Sequence, residues 1–280
     1  MSRLDLSAIE AGLSTYIIGK QGENELWPSL ASTSDRAIEL AHAGAPEGVV
    51  VLARQQSGGR GRQGRIWVSP PDAGIFLSVI LRPTIDATLL PLFSFACGVA
   101  AAQAIEKVGG IKIGLKWVND LVFEGKKLGG ILAEIPGSQK VPAASGGWVM
   151  APAVILGIGI NLSLKEAELP EELKAKVESL DHLLASEIDA NALVAELLNS
   201  LEEQYNHLRH GAPELVLGEW RSYCLTLGKL IKARVGNEEL EGQALDIDES
   251  GALILGLDSG EKRILHAGEI TVRLENGNYA

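Results

Sequence analysis

Apolar positions along this 280-residue chain follow two regimes, and the regime changes soon after residue 160. In the first, β-branched runs alternate with glycine-rich breaks. Val49-Val50-Val51-Leu52 reads as a buried strand, and residues 75–81 read as a second one. Ahead of them, Ser34 or Asp35 can cap a helix through Ile38-Glu39-Leu40 that Gly44 stops. Residues 89–108 are apolar and Ala-rich, which predicts a core helix ended by Gly109-Gly110. Residues 113–117 read as a strand. Residues 121–124 and 127–135 read as a hairpin turned at Gly125-Lys126. Residues 153–162 alternate small and large apolar side chains and predict another buried strand.

The second regime is helical and then short-stranded. Residues 170–184 and 190–208 carry helical periodicity with acidic faces. Pro213 stands where a further helix can begin, with Trp220 and Tyr223 inside it. From Lys229 onward, short alternating runs return at 230–235, 243–248, 252–257, 263–266 and 270–273. Turn signals at Gly236-Asn237, Ser250-Gly251, Ser259-Gly260 and Ala267-Gly268 separate them. This spacing predicts an antiparallel barrel of about 50 residues, with a domain boundary near Thr226. Residues 1–24 show no strong pattern and are too few for an independent domain such as a DNA-reading winged helix.

Charge changes this picture. The formal net charge is −11, which argues against a surface built to hold nucleic acid. Residues 1–150 carry 14 Lys+Arg against 13 Asp+Glu, whereas residues 151–280 carry 11 against 23. Within the near-neutral half, Arg54, Arg60, Arg62 and Arg65 cluster, with no acid between Glu47 and Asp72. A concentrated cationic loop in an acidic protein points to a small anionic ligand. Cys97 and Cys224 give no disulfide framework, so a reducing compartment is expected. The first residues lack a signal-peptide core, and the weakly charged stretch 88–105 is too short and interrupted to span a bilayer. A soluble, cytoplasmic protein is the expectation.

Four segments can carry chemistry. The first is Gly58-Gly59-Arg60-Gly61-Arg62-Gln63-Gly64-Arg65-Ile66-Trp67, preceded by Gln56. Its glycines let a backbone approach a ligand closely, and its guanidinium forks suit phosphate or carboxylate oxygens. The spacing is neither a P-loop nor a dinucleotide fingerprint; an RNA-contacting Arg/Gly loop is the other reading. The second is Lys116-Trp117-Val118-Asn119-Asp120. Here an amide and a carboxylate follow a strand, able to read an adenine edge and to hold Mg²⁺ or a lysine, or simply to make an Asx turn. The third is Lys127-Leu128-Gly129-Gly130-Ile131-Leu132-Ala133-Glu134, a lysine anchored at the start of a strand. The fourth is Gly157-Ile158-Gly159-Ile160-Asn161, where glycines inside a strand indicate either a ligand lying across it or tight packing. His207 and His210 have no metal-ligand spacing and read as exposed, and Cys97 reads as core packing.

In this order, together with Ser32-Thr33, the four segments resemble the biotin protein ligases. The family pattern is a Ser-Thr pair, then GRGRxGRxW, KWPND, a lysine–diglycine strand and GxGxN, and the likeness spans roughly residues 25–275. The resemblance implies an α+β fold: a class II synthetase-like catalytic core with a mixed β-sheet flanked by helices (1–225), followed by an SH3-like barrel (226–280). It implies that biotin and ATP form biotinyl-5′-AMP, whose biotinyl group passes to a lysine of a biotin carboxyl carrier domain. Carried over by position, Lys127 is the essential lysine and Asp120 supports it or Mg²⁺, the ion entering with ATP. Ser32, Thr33, Ser34, Gln56, Arg60, Gly61, Arg62 and Lys127 match biotin-binding positions, and Arg62, Arg65, Trp67, Asn119 and Asn161 match nucleotide-binding ones. Two positions depart: Ser34 stands where the family commonly has Asn, and Val118 where it has Pro. Neither DNA binding nor membrane association is implied, and a homodimer through a sheet edge is compatible with the family. A lipoate or octanoate ligase or transferase on the same fold is the alternative activity.

Overall fold

The computed structural model describes residues 4–142, 148–165, 169–184, 186–266 and 268–272. Among the described residues, nine strands precede the second regime: β1 (Glu25–Trp27), β2 (Val50–Ala53), β3 (Gly74–Leu81), β4 (Gly114–Lys116), β5 (Asp120–Phe123), β6 (Lys126–Glu134), β7 (Ser138–Pro142), β8 (Trp148–Pro152) and β9 (Val154–Asn161). Seven of them form one mixed sheet in the order β1-β2-β3-β9-β6-β5-β4. The β1–β2 pair is parallel and the others are antiparallel. β7 and β8 form a separate two-stranded ribbon.

Strand periodicity sorts side chains onto the two faces of this sheet. Val50, Leu52, Ile75, Leu77, Val79, Leu81, Leu156, Ile158 and Ile160 join the main core. Val49, Val51, Ile80 and Ile155 face the other way, where Ala37 and Ala41 of α2 (Thr33–His42) cover them. Every position of β3 is buried, as expected of a central strand covered on both faces. The main core is closed by α3 (Leu92–Gly109), which packs against α6 (Ala190–Arg209) and α7 (Pro213–Tyr223). The Ala-rich stretch of α3 allows this close packing. α1 (Leu6–Ala11) lies on α6. Beside it, Glu202 of α6 accepts hydrogen bonds from the backbone N–H groups of Tyr16, Ile17 and Ile18 at 2.6, 2.8 and 2.7 Å. Residues 4–24 thus supply a helix and a docked segment that hydrophobic patterning does not reveal.

The expected elements are present with shifted boundaries, and local chemistry explains the shifts. α2 is capped by Ser32 rather than Ser34 or Asp35, its Oγ accepting from the Asp35 N–H at 3.4 Å. Ser34 is unavailable as a cap because its hydroxyl meets that of Ser78 on β3, 3.1 Å away. The hairpin turns at Glu124-Gly125, both with positive φ, so Lys126 already belongs to β6. The expected helix over 170–184 is two short ones, α4 (Glu171–Lys174) and α5 (Leu180–Leu184). Between them the backbone pairs with Lys127: the Lys127 N–H donates to the Lys176 carbonyl at 2.8 Å, and the Glu178 N–H donates to the Lys127 carbonyl at 2.9 Å.

The C-terminal strands β10 (Leu230–Val235), β11 (Glu238–Ile247), β12 (Leu253–Leu257), β13 (Lys262–Leu265) and β14 (Glu269–Val272) form an antiparallel sheet in the order β13-β12-β11-β10-β14. Among the described residues no pairing joins β13 to β14, and no closed barrel is formed by the described strands. Ala267 and Arg273, placed in the last predicted turn and strand, lie outside the described residues. The α+β architecture, with a helix-flanked mixed sheet and an all-β C-terminal unit, agrees with the expectation. Among the described residues no helix is long and apolar enough to cross a membrane.

The two sheets are bonded together. The Trp117 indole N–H donates to the Gly251 carbonyl and the Trp117 backbone N–H donates to Thr226 Oγ1, both at 3.0 Å. Arg221 donates to Asp246 at 2.8 Å and to the Ile247 carbonyl at 2.9 Å. At this junction Phe95 is fully buried, its ring 4.7 Å from that of Trp220, and Gly251 packs on the same ring. Phe95→Ala therefore opens a cavity that both units border. It should lower unfolding stability by about 3–5 kcal/mol, read from urea denaturation; a change below 1 kcal/mol, on the order of an exposed substitution, would show that this contact does not hold the junction.

Candidate active site

The sheet face turned toward α2 is stripped of side chains at its centre. Gly130 on β6 and Gly159 on β9 are register partners, and Leu132 pairs with Gly157. A Cβ at Gly159 would lie 2.6 Å from the Trp67 ring, and one at Gly130 would lie 3.3 Å from it. A Cβ at Gly157 would lie 2.7 Å from Ser34 Oγ. The glycines of β9 are thus explained by close approach: an indole lies across the strands, and the start of α2 lies beside them. Among the described residues the buried Trp67 indole N–H has no hydrogen-bond partner.

Around this strip runs a cleft of about 1380 Å³. Ser32, Thr33, Ser34, Gln56, Arg60, Gly61, Arg62, Arg65, Trp67, Asn119, Asp120, Lys127 and Asn161 all line it. The structure therefore brings every candidate site residue into one space, although they come from α2, the Arg/Gly loop and three strands.

One end of the cleft is a neutral hydrogen-bond network. The Thr33 N–H donates to Gln56 Oε1 at 2.8 Å, and the Gln56 amide donates to Ser69 Oγ at 3.1 Å. The Ser78 hydroxyl donates to Thr33 Oγ1 at 2.9 Å and contacts Ser34. Ser32, Thr33, Ser34 and Ser78 are all buried. Buried hydroxyls and amides held in this way offer fixed donors and acceptors to a polar, uncharged group. Ser34, at the position where the pattern usually has Asn, takes part in this network.

The other end is charged. Lys127 Nζ lies 2.5 Å from Asp120 Oδ1 and 5.5 Å from the centre of the Trp67 ring. Asp120 is on β5, and its register partner on β4 is Lys116, which also lines the cleft. Burial holds the Lys116 ammonium below the usual lysine range; Lys127 adds to this and Asp120 opposes it. Two ammonium groups thus share one carboxylate across three adjacent strands. Asn119 donates its amide to the Ile131 carbonyl at 2.9 Å and accepts from Arg62 Nη1 at 3.1 Å. That contact fixes the turn before β5 even with Val118 in place of Pro. Asn161 donates its amide to the Glu178 carbonyl at 3.0 Å and to the Lys127 carbonyl at 3.4 Å.

The Arg/Gly segment is an ordered hairpin. The Trp67 N–H donates to the Gly59 carbonyl at 2.8 Å, and the Gly61 N–H donates to the Arg65 carbonyl at 2.7 Å. A short 3-10 turn, Arg62–Gly64, forms the tip, with Gln63 at φ 57°. Arg60 Nη2 reaches Asp35 at 2.8 Å and Glu134 at 2.9 Å. Burial pushes the Glu134 carboxyl up; Arg60 pulls it down and the Asp35 carboxylate adds to the rise.

Sequence reasoning gave no role to several lining residues. Lys116 sat inside a quoted motif. Lys232, Arg234 and Glu239 of the second sheet also border the cleft, but alternating charges on short strands read as a solvated face. Leu173 of α4 and Val177, from the segment that pairs with Lys127, line it too and carry no chemical signal. Among the described residues no three His, Cys, Asp or Glu side chains group to hold a metal ion.

Comparison with known proteins agrees with this geometry. The model of the biotin/lipoate A/B protein ligase family matches residues 26–149, and that of the biotin protein ligase C terminal domain matches residues 226–273. The chain is 36% identical over 267 residues to the bifunctional ligase/repressor BirA of Bacillus subtilis, covering 95% of this chain and 78% of that protein. It is 32% identical over 245 residues to the biotin–[acetyl-CoA-carboxylase] ligase of Mycobacterium tuberculosis, covering 85% of each. Among solved structures, a biotin protein ligase from Aquifex aeolicus in complex with biotin and ATP matches with a TM-score of 0.74 at 26% identity, covering 90% of this chain and 99% of that one. Motifs, fold and relatives agree that the chain belongs to the biotin protein ligase family.

Proposed function

We propose that this protein is an ATP-dependent biotin ligase, and that the observation carrying this reading is the Lys127–Asp120 pair facing the Arg/Gly hairpin in one cleft. Biotin's carboxylate attacks the α-phosphorus of ATP, pyrophosphate leaves, and biotinyl-5′-AMP remains. The amine of a carrier-domain lysine then attacks the acyl carbon, and AMP leaves as the amide forms. The first step brings two anions into bonding distance. Fixed cations at that point offset their repulsion and stabilise the charge that develops. Lys127 is the group for this role. Asp120 holds its ammonium against the sheet, and the low exposure of Lys116 adds a second, poorly hydrated cation beside it.

The other assignments follow the division of the cleft. The network of Ser32, Thr33, Ser34 and Gln56 suits the uncharged ureido ring of biotin, with Arg60 and Gly61 closing that end. Arg62 and Arg65 face phosphate oxygens, Trp67 offers its ring to the nucleotide side, and Asn119 and Asn161 contact the base. Asp120, already bonded to Lys127 through one carboxylate oxygen, keeps the other oxygen for a magnesium ion. That fits Mg²⁺ arriving on the triphosphate with its own waters and few protein ligands. The partner is a biotin carboxyl carrier domain. The division into a catalytic unit (1–225) and a C-terminal unit (226–280) is supported by the second sheet, which starts at Leu230.

Incubating the protein with biotin, Mg-ATP and a carrier domain should yield a streptavidin-reactive carrier. An absent signal from folded protein, or labelling by lipoate in place of biotin, would reject the reading. Lys127→Ala should slow adenylate formation by about 10²–10³-fold, read as pyrophosphate release; a rate within twofold of the parent would remove Lys127 from the first step. Gly159→Ala sets a methyl group against the Trp67 ring and should raise the KM for ATP about tenfold, the equivalent of roughly 1.4 kcal/mol. An unchanged KM would show that the indole does not border the nucleotide.

A further inference from the structure

The Arg/Gly hairpin has few bonds of its own. Its glycines carry the entropic cost of order, and the Gly61–Arg65, Gly59–Trp67 and Arg62–Arg65 backbone bonds close it. Beyond the Trp67 ring lying on the sheet, side-chain contacts of Arg62 and Arg60 tie it to the rest of the protein. At the tip, Arg62 reaches Asn119 beside β5. On the other leg, the single nitrogen Nη2 of Arg60 is shared by Asp35, in the first turn of α2, and Glu134, at the end of β6.

This second contact is unusual for a site that takes anions. One guanidinium faces two carboxylates, so the cluster carries a net negative charge where a positive one would serve binding better. α2 and β6 are the elements that carry Ser32–Ser34 and Lys127, the two ends of the cleft. The Asp35 carboxylate is half exposed and that of Glu134 is about a quarter exposed. Neither belongs to the apolar core. Their common partner is the hairpin, and they hold it across the gap between α2 and β6.

The geometry points to Asp35 and Glu134 as positioning residues that clamp the Arg60 hairpin over the cleft and so set how long the activated intermediate stays bound. The inference rests on the ligase reading for its intermediate, but the clamp is made of this protein's own side chains. With the clamp intact, the glycine-rich hairpin stays down over a mixed anhydride that water and stray amines would otherwise reach. With it released, Arg60 swings free and the hairpin opens on its own fluctuations.

Two measurements on the full chain test this, with Asp35→Asn and Glu134→Gln made singly. In the ligand-free protein, amide hydrogen exchange over residues 59–67 should quicken about threefold or more in each variant, with the melting temperature held near the parent value. After loading with radiolabelled biotin and Mg-ATP, the chase of biotinyl-5′-AMP by unlabelled biotin should quicken about threefold to fivefold. The turnover rate at saturating biotin and carrier should stay within twofold. Unchanged exchange in both variants overturns the clamp. Faster exchange with unchanged release overturns its role in retention, and slower release shows instead that the carboxylates compete with the ligand for Arg60, which also overturns it. A parent protein that forms no intermediate refutes the ligase reading and with it the retention role, while exchange still decides the clamp. Should Glu134→Gln fail to fold, Asp35→Asn, at a more exposed position, decides both measurements.

Discussion

The site depends on bare backbone at the centre of a covered sheet. Gly130 and Gly159 face one another in register, so the Trp67 ring can lie where two side chains would otherwise stand. That one contact organises what surrounds it. It ends the Arg/Gly hairpin on the sheet and sets one wall of the cleft. It also supplies a π face for the Lys127 ammonium. Gly157 repeats the device one pair further along, where it admits Ser34 and lets the start of α2 join the buried hydroxyl network. Because β3 and β9 are buried strands and β6 packs Leu128 and Ile131 into the core on the opposite face, the strip cannot shift without moving the core.

Charge is handled by confinement. Lys127 on β6 and Lys116 on β4 stand on either side of Asp120 on β5. Strand-mounted side chains lose less freedom on binding than loop-mounted ones, and poor hydration raises the effect of each charge. The arginines are treated differently. They sit on a glycine hairpin whose contacts with Asn119, Asp35 and Glu134 hold it in place. The protein thus separates strand-mounted cations, Lys116 and Lys127, from arginines mounted on a hairpin.

Much of this was legible in the residues, for specific physical reasons. Long apolar runs identify β2, β3, α3 and β9 because a buried strand or helix must be apolar whatever covers it. The four motif segments were legible because their glycines and charges are costly in strands and turns unless something uses them. What patterning missed is held by polar or backbone contacts. The docking of residues 16–18 rests on the Glu202 carboxylate, which leaves no periodic trace. The break in the 170–184 helix comes from backbone pairing with Lys127, a long-range bond that competes with local helical preference. The Asp35–Arg60–Glu134 cluster joins residues roughly a hundred positions apart and appears only once α2 and β6 are side by side.

The bond that carries the chain from one sheet to the next has another effect. β4 is the last strand of the seven-stranded sheet, and such an edge presents unpaired backbone groups to any passing strand. Here the Leu225 N–H donates to the Leu115 carbonyl at 2.8 Å, and the Leu225 side chain packs over Gly114. The connecting segment therefore doubles as a cover for the edge nearest the motif strands. Strand addition at that side would have to displace the covalent link to the second sheet, which leaves the three-residue β1 as the open edge of the seven-stranded sheet.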